Sequence, residues 1–561
     1  MKKLSFFVLL PLLVIVIAVA IGVGTKPSGP KDDAAAMERG KTILDPAAME
    51  RGKTIYDTTC VMCHQAGGVG IPPTFPPLAE SDWLMADRVR AIRVLAEGLE
   101  GDIVVNGIRY EGRMPAQMLD DAQLADVMTY ITNSWGNEAK PFGTEEVKAA
   151  RLKSRFPTYE KLVAASSYQG LPEPPPGWKV EEVTRLTEFA TRLAGPDADG
   201  NLYVLMQGGS LHRLTGNVLS PWLNSAAYLG PYSRFRAAAG VTIDAENRLW
   251  ITTNNRITGS DGMFYNDVDI WRSKSPIGTG APEMISWYNV QIPYGVGPFN
   301  HGVTNIAFGP DGKLYVSSGS RTDSGEEGGI PEIAKTGETD LTACIWRFDG
   351  NFTEEKSAAP PHVLARGLRN PHGFAWDEAG NLLAAVNGPD AHLAEELDIV
   401  EEGKHYGFPH QYADHSPTEH FYDHTPPAPA GLEFTPPMEN IGPDGGQGFA
   451  TFTPHSSPGG IMWCGEDYPE PLKNRFLVTR FGNLINVAKD AGFDLLAVNP
   501  SKSADGRWQA EVHTVMERMA RPLDVRARGD GSILILEYTR ATDFKSGLGL
   551  LPGRVLVLSP L

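Results

Sequence analysis

Cysteine is scarce in this chain, with four residues in 561. Two stand together at positions 60 and 63, so only Cys344 and Cys464 remain for a disulfide. These lie 120 residues apart, and the sequence leaves open a bridge or two separate buried thiols. Basic residues are also in deficit: 50 Lys and Arg face 68 Asp and Glu, a net charge of −18. A phosphate backbone repels such a surface, which argues against nucleic acid as a partner. Hydrophobic content of 42% is ordinary for globular protein, and 60 Gly with 44 Pro favour many turns and short strands. The length exceeds what one core usually serves, so two domains are expected.

The N-terminus departs from this composition. Lys2 and Lys3 precede an uncharged apolar run from Leu4 to Gly24. That is an export signal, either cleaved after Ala18-Val19-Ala20 or kept as a membrane anchor. Both readings place the bulk of the chain outside the cytoplasm. Residues 25–46 read as a tether and contain an internal duplication, because AAMERGKTI occurs at 35–43 and again at 47–55.

The second copy runs into Cys60-Val61-Met62-Cys63-His64. Two thiols three positions apart can each add across a haem vinyl group, and the adjacent imidazole then reaches the iron. The motif therefore predicts covalent haem c on Cys60 and Cys63 with His64 as an axial ligand. Periodic apolar positions predict helices at about 82–97 and 121–134. Residues 47–136 resemble a class I cytochrome c, on the attachment motif together with Gly112-Arg-Met114-Pro-Ala116. The resemblance implies Met114 as the second iron ligand, with Met118 and Met85 as competitors. Such a domain is an electron carrier that needs an external redox partner. Three consecutive prolines end at Pro176, and 137–180 reads as a linker with a strap.

From residue 181 the pattern changes to short β-rich runs. A turn leading into an apolar strand recurs at 197–205, 244–252, 309–317, 377–385, 472–479 and 528–536. Six such units over 181–561 predict an all-β six-bladed propeller following the all-α cytochrome domain. Residues 405–460 form a long insertion in which His405, His410, His415, His420 and His424 recur. It reads as a mobile loop near a substrate entrance or as a transition-metal cluster.

Four segments of the propeller resemble the soluble pyrroloquinoline quinone (PQQ) sugar dehydrogenases, the glucose, aldose and sorbosone group. They are Asn300-His301-Gly302 with the following Phe308–Tyr315; Gly367-Leu-Arg369-Asn370-Pro-His-Gly; Asn387-Gly388-Pro389-Asp390 with Glu395-Glu396 and Tyr406-Gly-Phe-Pro409; and Arg521-Pro-Leu-Asp524. The resemblance implies His301 as general base toward a sugar or other alcohol. It implies Arg369, Asn370, Arg480, Arg521 and Arg321 as PQQ ligands, since guanidinium forks suit the three carboxylates of that cofactor. Gly388 and Pro389 are implied to bind Ca²⁺ through their carbonyls. Glu396 and Tyr406 match a second calcium position of some relatives. The chain departs from the family pattern at Asn300, at His372 and across Ser233–Ala237. Two other functions fit the domain order: a cytochrome cd1-like redox propeller, and a propeller that only docks partners for electron relay.

Overall fold

The computed structural model describes residues 44–561 except 66, 71–74, 115–116, 118, 152–166, 230–235, 297–299, 327–331, 334–336, 351, 358, 390–392, 414–424, 447–449, 484–491 and 543–550. The expected export or anchor segment, the first copy of the duplicated unit, and Met118 lie outside the described residues. Among the described residues no helix is long and apolar enough to cross a membrane. The chain divides into two compact units, with the boundary between Ala165 and Ser166.

The first unit begins with helix Pro46–Thr59. Asp45 caps it by accepting from Ala47 N, and Pro46 at the first position has no N–H to waste. Asp45 is extended, so this helix does not run back into the first copy of the duplicated unit. Gly52 lets the helix lie directly on helix Asp121–Ile131, since a Cβ there would stand 2.2 Å from Asp126 O. Arg51 clamps the same crossing with two bonds to Asp126, of 2.6 and 3.0 Å. The single helix expected near 82–97 is two, Asp82–Met85 and Arg88–Glu97. Ser81 caps the first and Asp87, in extended conformation, breaks the run and caps the second.

This unit is not wholly helical. Leu99–Val105 and Ile108–Met114 form an antiparallel hairpin. Asn106 and Gly107 both take positive φ at its turn, the conformation that a two-residue hairpin loop requires. Part of the expected linker also folds here. Helix Thr144–Arg151 buries Val147 and Ala150, and Arg88 binds Glu146 through two nitrogens.

The second unit is built of six sheets, which serve as blades. Their first strands are Ala190–Ala194, Arg236–Ile243, Val303–Phe308, Pro371–Trp376, Pro458–Cys464 and Pro522–Ala527. Their second strands are Leu202–Met206, Leu249–Thr258, Leu314–Ser318, Leu382–Val386, Arg475–Arg480 and Ile533–Thr539. All six sequence repeats fall on these second strands. Several are buried along their whole length, because a neighbouring blade covers each face. Such strands read as continuous apolar runs rather than alternation. The repeated turn has a shared chemistry: Asp197, Asp244 and Asp311 accept turn N–H groups with one oxygen and the ring donor of Tyr203, Trp250 or Tyr315 with the other. Blade 6 is closed by the unit's own beginning, as Trp178–Arg185 pairs antiparallel with Pro552–Pro560. Cys344 and Cys464 lie in the cores of blades 3 and 5 as separate thiols, both pushed up to about 12 by burial.

Candidate active site

In the first unit, His64 is buried and its Nδ1 lies 2.8 Å from Pro76 O. A carbonyl only accepts, so Nδ1 carries the proton and Nε2 presents its lone pair. Burial lowers the pKa of His64, which keeps the ring neutral and competent as a metal ligand. The ring opens onto an apolar cleft lined by Cys60, Pro77, Leu84, Leu95, Ile103 and Met114, among others. Met114, the last residue of the hairpin, faces the same cleft as His64; Met85 does not line it. The thiol of Cys63 is half-buried and shifted up by desolvation. This donor set fits haem c: two thiols for attachment, one neutral imidazole, one thioether and dry walls.

In the propeller, the candidate residues occupy one recurring position. The first and second strands of each blade are antiparallel, so the start of a first strand and the end of the second lie at the same edge. His301 precedes the first strand of blade 3, and Arg369-Asn370 precede that of blade 4. Gly388 and Pro389 follow the second strand of blade 4, Arg480 ends that of blade 5, and Arg521 precedes the first strand of blade 6. Backbone and side-chain bonds link these edges blade to blade. Ser320 N donates to Arg369 O at 2.6 Å, Ser457 N to Glu395 at 3.4 Å, and Arg521 to Asn483 O at 3.2 Å.

His301 Nδ1 lies 3.2 Å from Ser320 O and 3.1 Å from Ser320 Oγ. The hydroxyl proton of Ser320 goes to Thr322 O, so both contacts are acceptors. Nδ1 is therefore the protonated nitrogen, and Nε2 carries the basic lone pair. Gly319 sits against this group, where a Cβ would be 2.6 Å from His301 Cβ and 2.8 Å from Asn370 Oδ1. Asn370 is buried, and among the described residues its Oδ1 has no hydrogen-bond partner. Asn300 Oδ1 turns to the backbone instead, accepting from Gly295 N at 2.8 Å.

The arginines are less available than their sequence pattern suggests. Arg369 binds Asp323 through Nη2 at 2.7 Å and also reaches Asn387 O. Arg480 forms a two-nitrogen pair with Asp494 at 2.9 and 2.5 Å. Arg321 donates to Gly337 O and Tyr294 O, while Glu338 accepts from its backbone N–H. Arg521 lies between the rings of Phe481 and Phe493, at 5.1 and 5.0 Å, and burial brings it down to about 9. Asp323, Glu338 and Asp494 are residues that sequence reasoning misses, because nothing local ties them to their partners. Tyr538 and Gln207, joined at 3.4 Å on the same edges, escape it as well. A signal for them exists, since each stands at the end of a second strand of the repeat.

Gly388 N donates to Glu395 Oε2 at 2.6 Å, and burial pushes that carboxyl up to about 7. Among the described residues no three metal-binding side chains converge. A cation at Gly388-Pro389 would thus rest on backbone carbonyls, with the Glu395 carboxyl close by. Glu396 accepts from Ala413 N, and Tyr406 Oη donates to Ile399 O. Of the five recurring histidines only His405 and His410 are described; His415, His420 and His424 lie outside the described residues. Their rings lie 6.0 Å apart, and both pack against Phe434.

Comparison with known proteins decides the family. Residues 49–135 match the cytochrome c family model, and residues 290–544 match that of glucose / sorbosone dehydrogenase. The chain is a cytochrome c joined to a glucose/sorbosone dehydrogenase domain. Its cytochrome domain is 40% identical over 122 residues to cytochrome c-552 of Thermus thermophilus, covering 92% of that protein and 20% of this chain. The dehydrogenase propeller is similar to the PQQ-bound aldose sugar dehydrogenase of Streptomyces coelicolor, at 19% identity, TM-score 0.44, 69% of this chain and 99% of that one. It is likewise similar to the soluble aldose sugar dehydrogenase of Escherichia coli in the apo-form, at 16%, TM-score 0.47, 68% and 100%. The cytochrome domain implies haem c, and the pairing of the two domains makes the chain a haem-containing oxidoreductase.

Proposed function

We propose that this oxidoreductase is exported, oxidises a sugar or other alcohol at PQQ in the propeller, and passes the electrons through haem c to an external acceptor. The observation that carries the reading is His301: its Nδ1–H is committed to Ser320, its Nε2 carries the basic lone pair, and it shares the Gly319 cradle with Asn370.

PQQ, when bound with Ca²⁺ polarising its carbonyl, supplies a two-electron acceptor for hydride. Asn370 fits such a group because its buried Oδ1 has no hydrogen-bond partner among the described residues. Arg521 fits because an anion would compensate a guanidinium whose burial disfavours charge. Arg369, Arg480 and Arg321 act mainly through the loops they brace against Asp323, Asp494 and Gly337. The carbonyls of Gly388 and Pro389 are the proposed calcium ligands. His301 takes the proton of the substrate hydroxyl at Nε2, a role that imidazole fills as a general base. His64 and Met114 are the residues that would hold the haem iron, and with its ligand positions taken by protein, haem c would supply electron transfer and not a substrate site. Tethering both centres on one chain raises their effective concentration for each other.

The test is direct. The purified chain, loaded with PQQ and Ca²⁺, should reduce its own haem when aldoses or alcohols are added. His301→Gln should slow this by about 10²–10⁴-fold with an unchanged haem spectrum. A haem that stays oxidised across a broad sugar and alcohol panel would sink the proposal. An unchanged rate in His301→Gln would remove His301 from it.

A further inference from the structure

We infer that His372 is a second catalytic imidazole, locked in the opposite tautomer to His301, whose Nε2–H donates to the substrate oxygen while His301 removes that oxygen's proton. The inference deepens the dehydrogenase reading and rests on it.

His372 is the second residue of blade 4's first strand, two positions after Asn370. Its Nδ1 lies 3.2 Å from Arg192 Nη2, and the same guanidinium donates to His372 O. Guanidinium has no acceptor atom, so His372 Nδ1 must be the lone-pair nitrogen and Nε2 must carry the hydrogen. His301 is set the other way, because its Nδ1 faces Ser320 O and Ser320 Oγ, both acceptors. One ring therefore presents a base and the other a donor.

The two rings belong to neighbouring strands. Thr304, three residues after His301, donates from Oγ1 to Pro371 O at 3.1 Å, directly before His372. Desolvation first, then the charge of Arg192 and the nearby His301, disfavour protonation of His372, so its ring stays neutral. A histidine buried for a structural role has its nitrogens satisfied by protein groups or ordered water. His372 uses one; its Nε2 has no protein partner among the described residues, and the side chain is only partly buried. Arg192 does not depend on the ring either, since it already binds Ala239 O, Thr304 O and Asp524.

In the oxidation the substrate O–H proton passes to His301 Nε2 and the C–O bond becomes C=O, for which a bound quinone would supply the acceptor of the carbinol hydride. His372 keeps its proton throughout. It stabilises negative charge on the oxygen between loss of the proton and loss of the hydride. A preorganised donor of this kind contributes about 10²–10³ in rate.

Two readouts on the full chain test this. Long-range ¹H–¹⁵N spectra with ¹⁵N-histidine and reduced haem, assigned with His301→Gln and His372→Gln, should show His301 protonated at Nδ1 and His372 at Nε2. The His372 signals should not titrate between about pH 5 and 8. In the PQQ- and Ca²⁺-loaded chain, His372→Leu should lower kcat about 100-fold with little change in KM. His372→Gln, which keeps an N–H donor, should recover most of it. His372 protonated at Nδ1, or titrating in that range, overturns the proposal without any activity measurement. An active wild type with an equally active His372→Leu overturns it alone. A wild type inactive on every substrate overturns the dehydrogenase reading and this proposal with it.

Discussion

Arg192 of blade 1 donates to the backbone carbonyl of Thr304 in blade 3, 3.1 Å away. The same guanidinium holds Ala239 O in blade 2, His372 O in blade 4 and Asp524 in blade 6. One side chain thus ties together the first strands of five blades. Replacing it by Met leaves three carbonyls and the buried Asp524 without this donor. The expected cost is about 3–5 kcal/mol, the usual range for breaking a buried ion pair from one side. Asp524→Asn added to Arg192→Met should recover part of it, because the amide oxygen still accepts from Leu193 N and no longer carries charge. Denaturant unfolding followed by tryptophan fluorescence measures both variants.

Gly52 makes a different kind of contact, backbone against backbone. A Cβ at this position would stand 2.2 Å from Asp126 O and 2.7 Å from Tyr130 Cβ. Neither atom is the end of a flexible side chain, so the helices must separate. Gly52→Ala should destabilise the cytochrome domain by about 1–3 kcal/mol, although alanine is the better helix former. Unfolding monitored at the haem absorption band, with the propeller transition as internal reference, reads the loss.

Local features are legible in the amino-acid sequence. The haem motif is five contiguous residues, and the propeller repeat is a tight turn ahead of an apolar strand; both are set by neighbours in sequence. The hairpin at Leu99–Met114 carries an equally local signal in Asn106-Gly107, although the loop around Met114 draws attention first. The ion-pair partners are not legible. Asp323 lies 46 residues from Arg369, and Asp494 is one acidic residue among many until the blade brings it to Arg480. Arg192 is hidden for a further reason. In Ala190-Thr-Arg192-Leu-Ala194 it reads as the polar face of a strand, and only closure of the ring of blades buries that face.

Met114 and His64 face one cleft, and the thioether is the softer of the two ligands. A thioether opposite imidazole raises the potential of haem iron. Met114→His should therefore lower the midpoint potential, by roughly a few tenths of a volt within the ~0.8 V span that axial ligands command. Covalent attachment through Cys60 and Cys63 should persist. Spectroelectrochemical titration checks the potential, and a denaturing gel stained for haem checks the attachment. An unchanged potential would place the sixth ligand elsewhere.

His405 gives the propeller a defined acid sensitivity. Its ring packs on Phe434 at 5.4 Å and faces His410 at 6.0 Å, and its Nδ1 accepts from Gly407 N at 3.1 Å. Burial first, then the charges of His410 and Arg366, bring its pKa down to about 4. The unfolded chain titrates near the ordinary value of about 6.5, so on acidification it binds the proton before the folded chain does. The stability His405 contributes is therefore complete above about pH 6.5 and is lost as the pH falls toward 4. The ring is partly solvated, so the effect is expected at about 1–2 kcal/mol, below the full value of the shift. His405→Gln keeps a polar side chain and removes the titration. The difference in unfolding free energy between wild type and variant should shrink, or reverse in favour of the variant, between pH 7 and pH 5. A difference independent of pH would show that His405 titrates alike in the folded and unfolded chain.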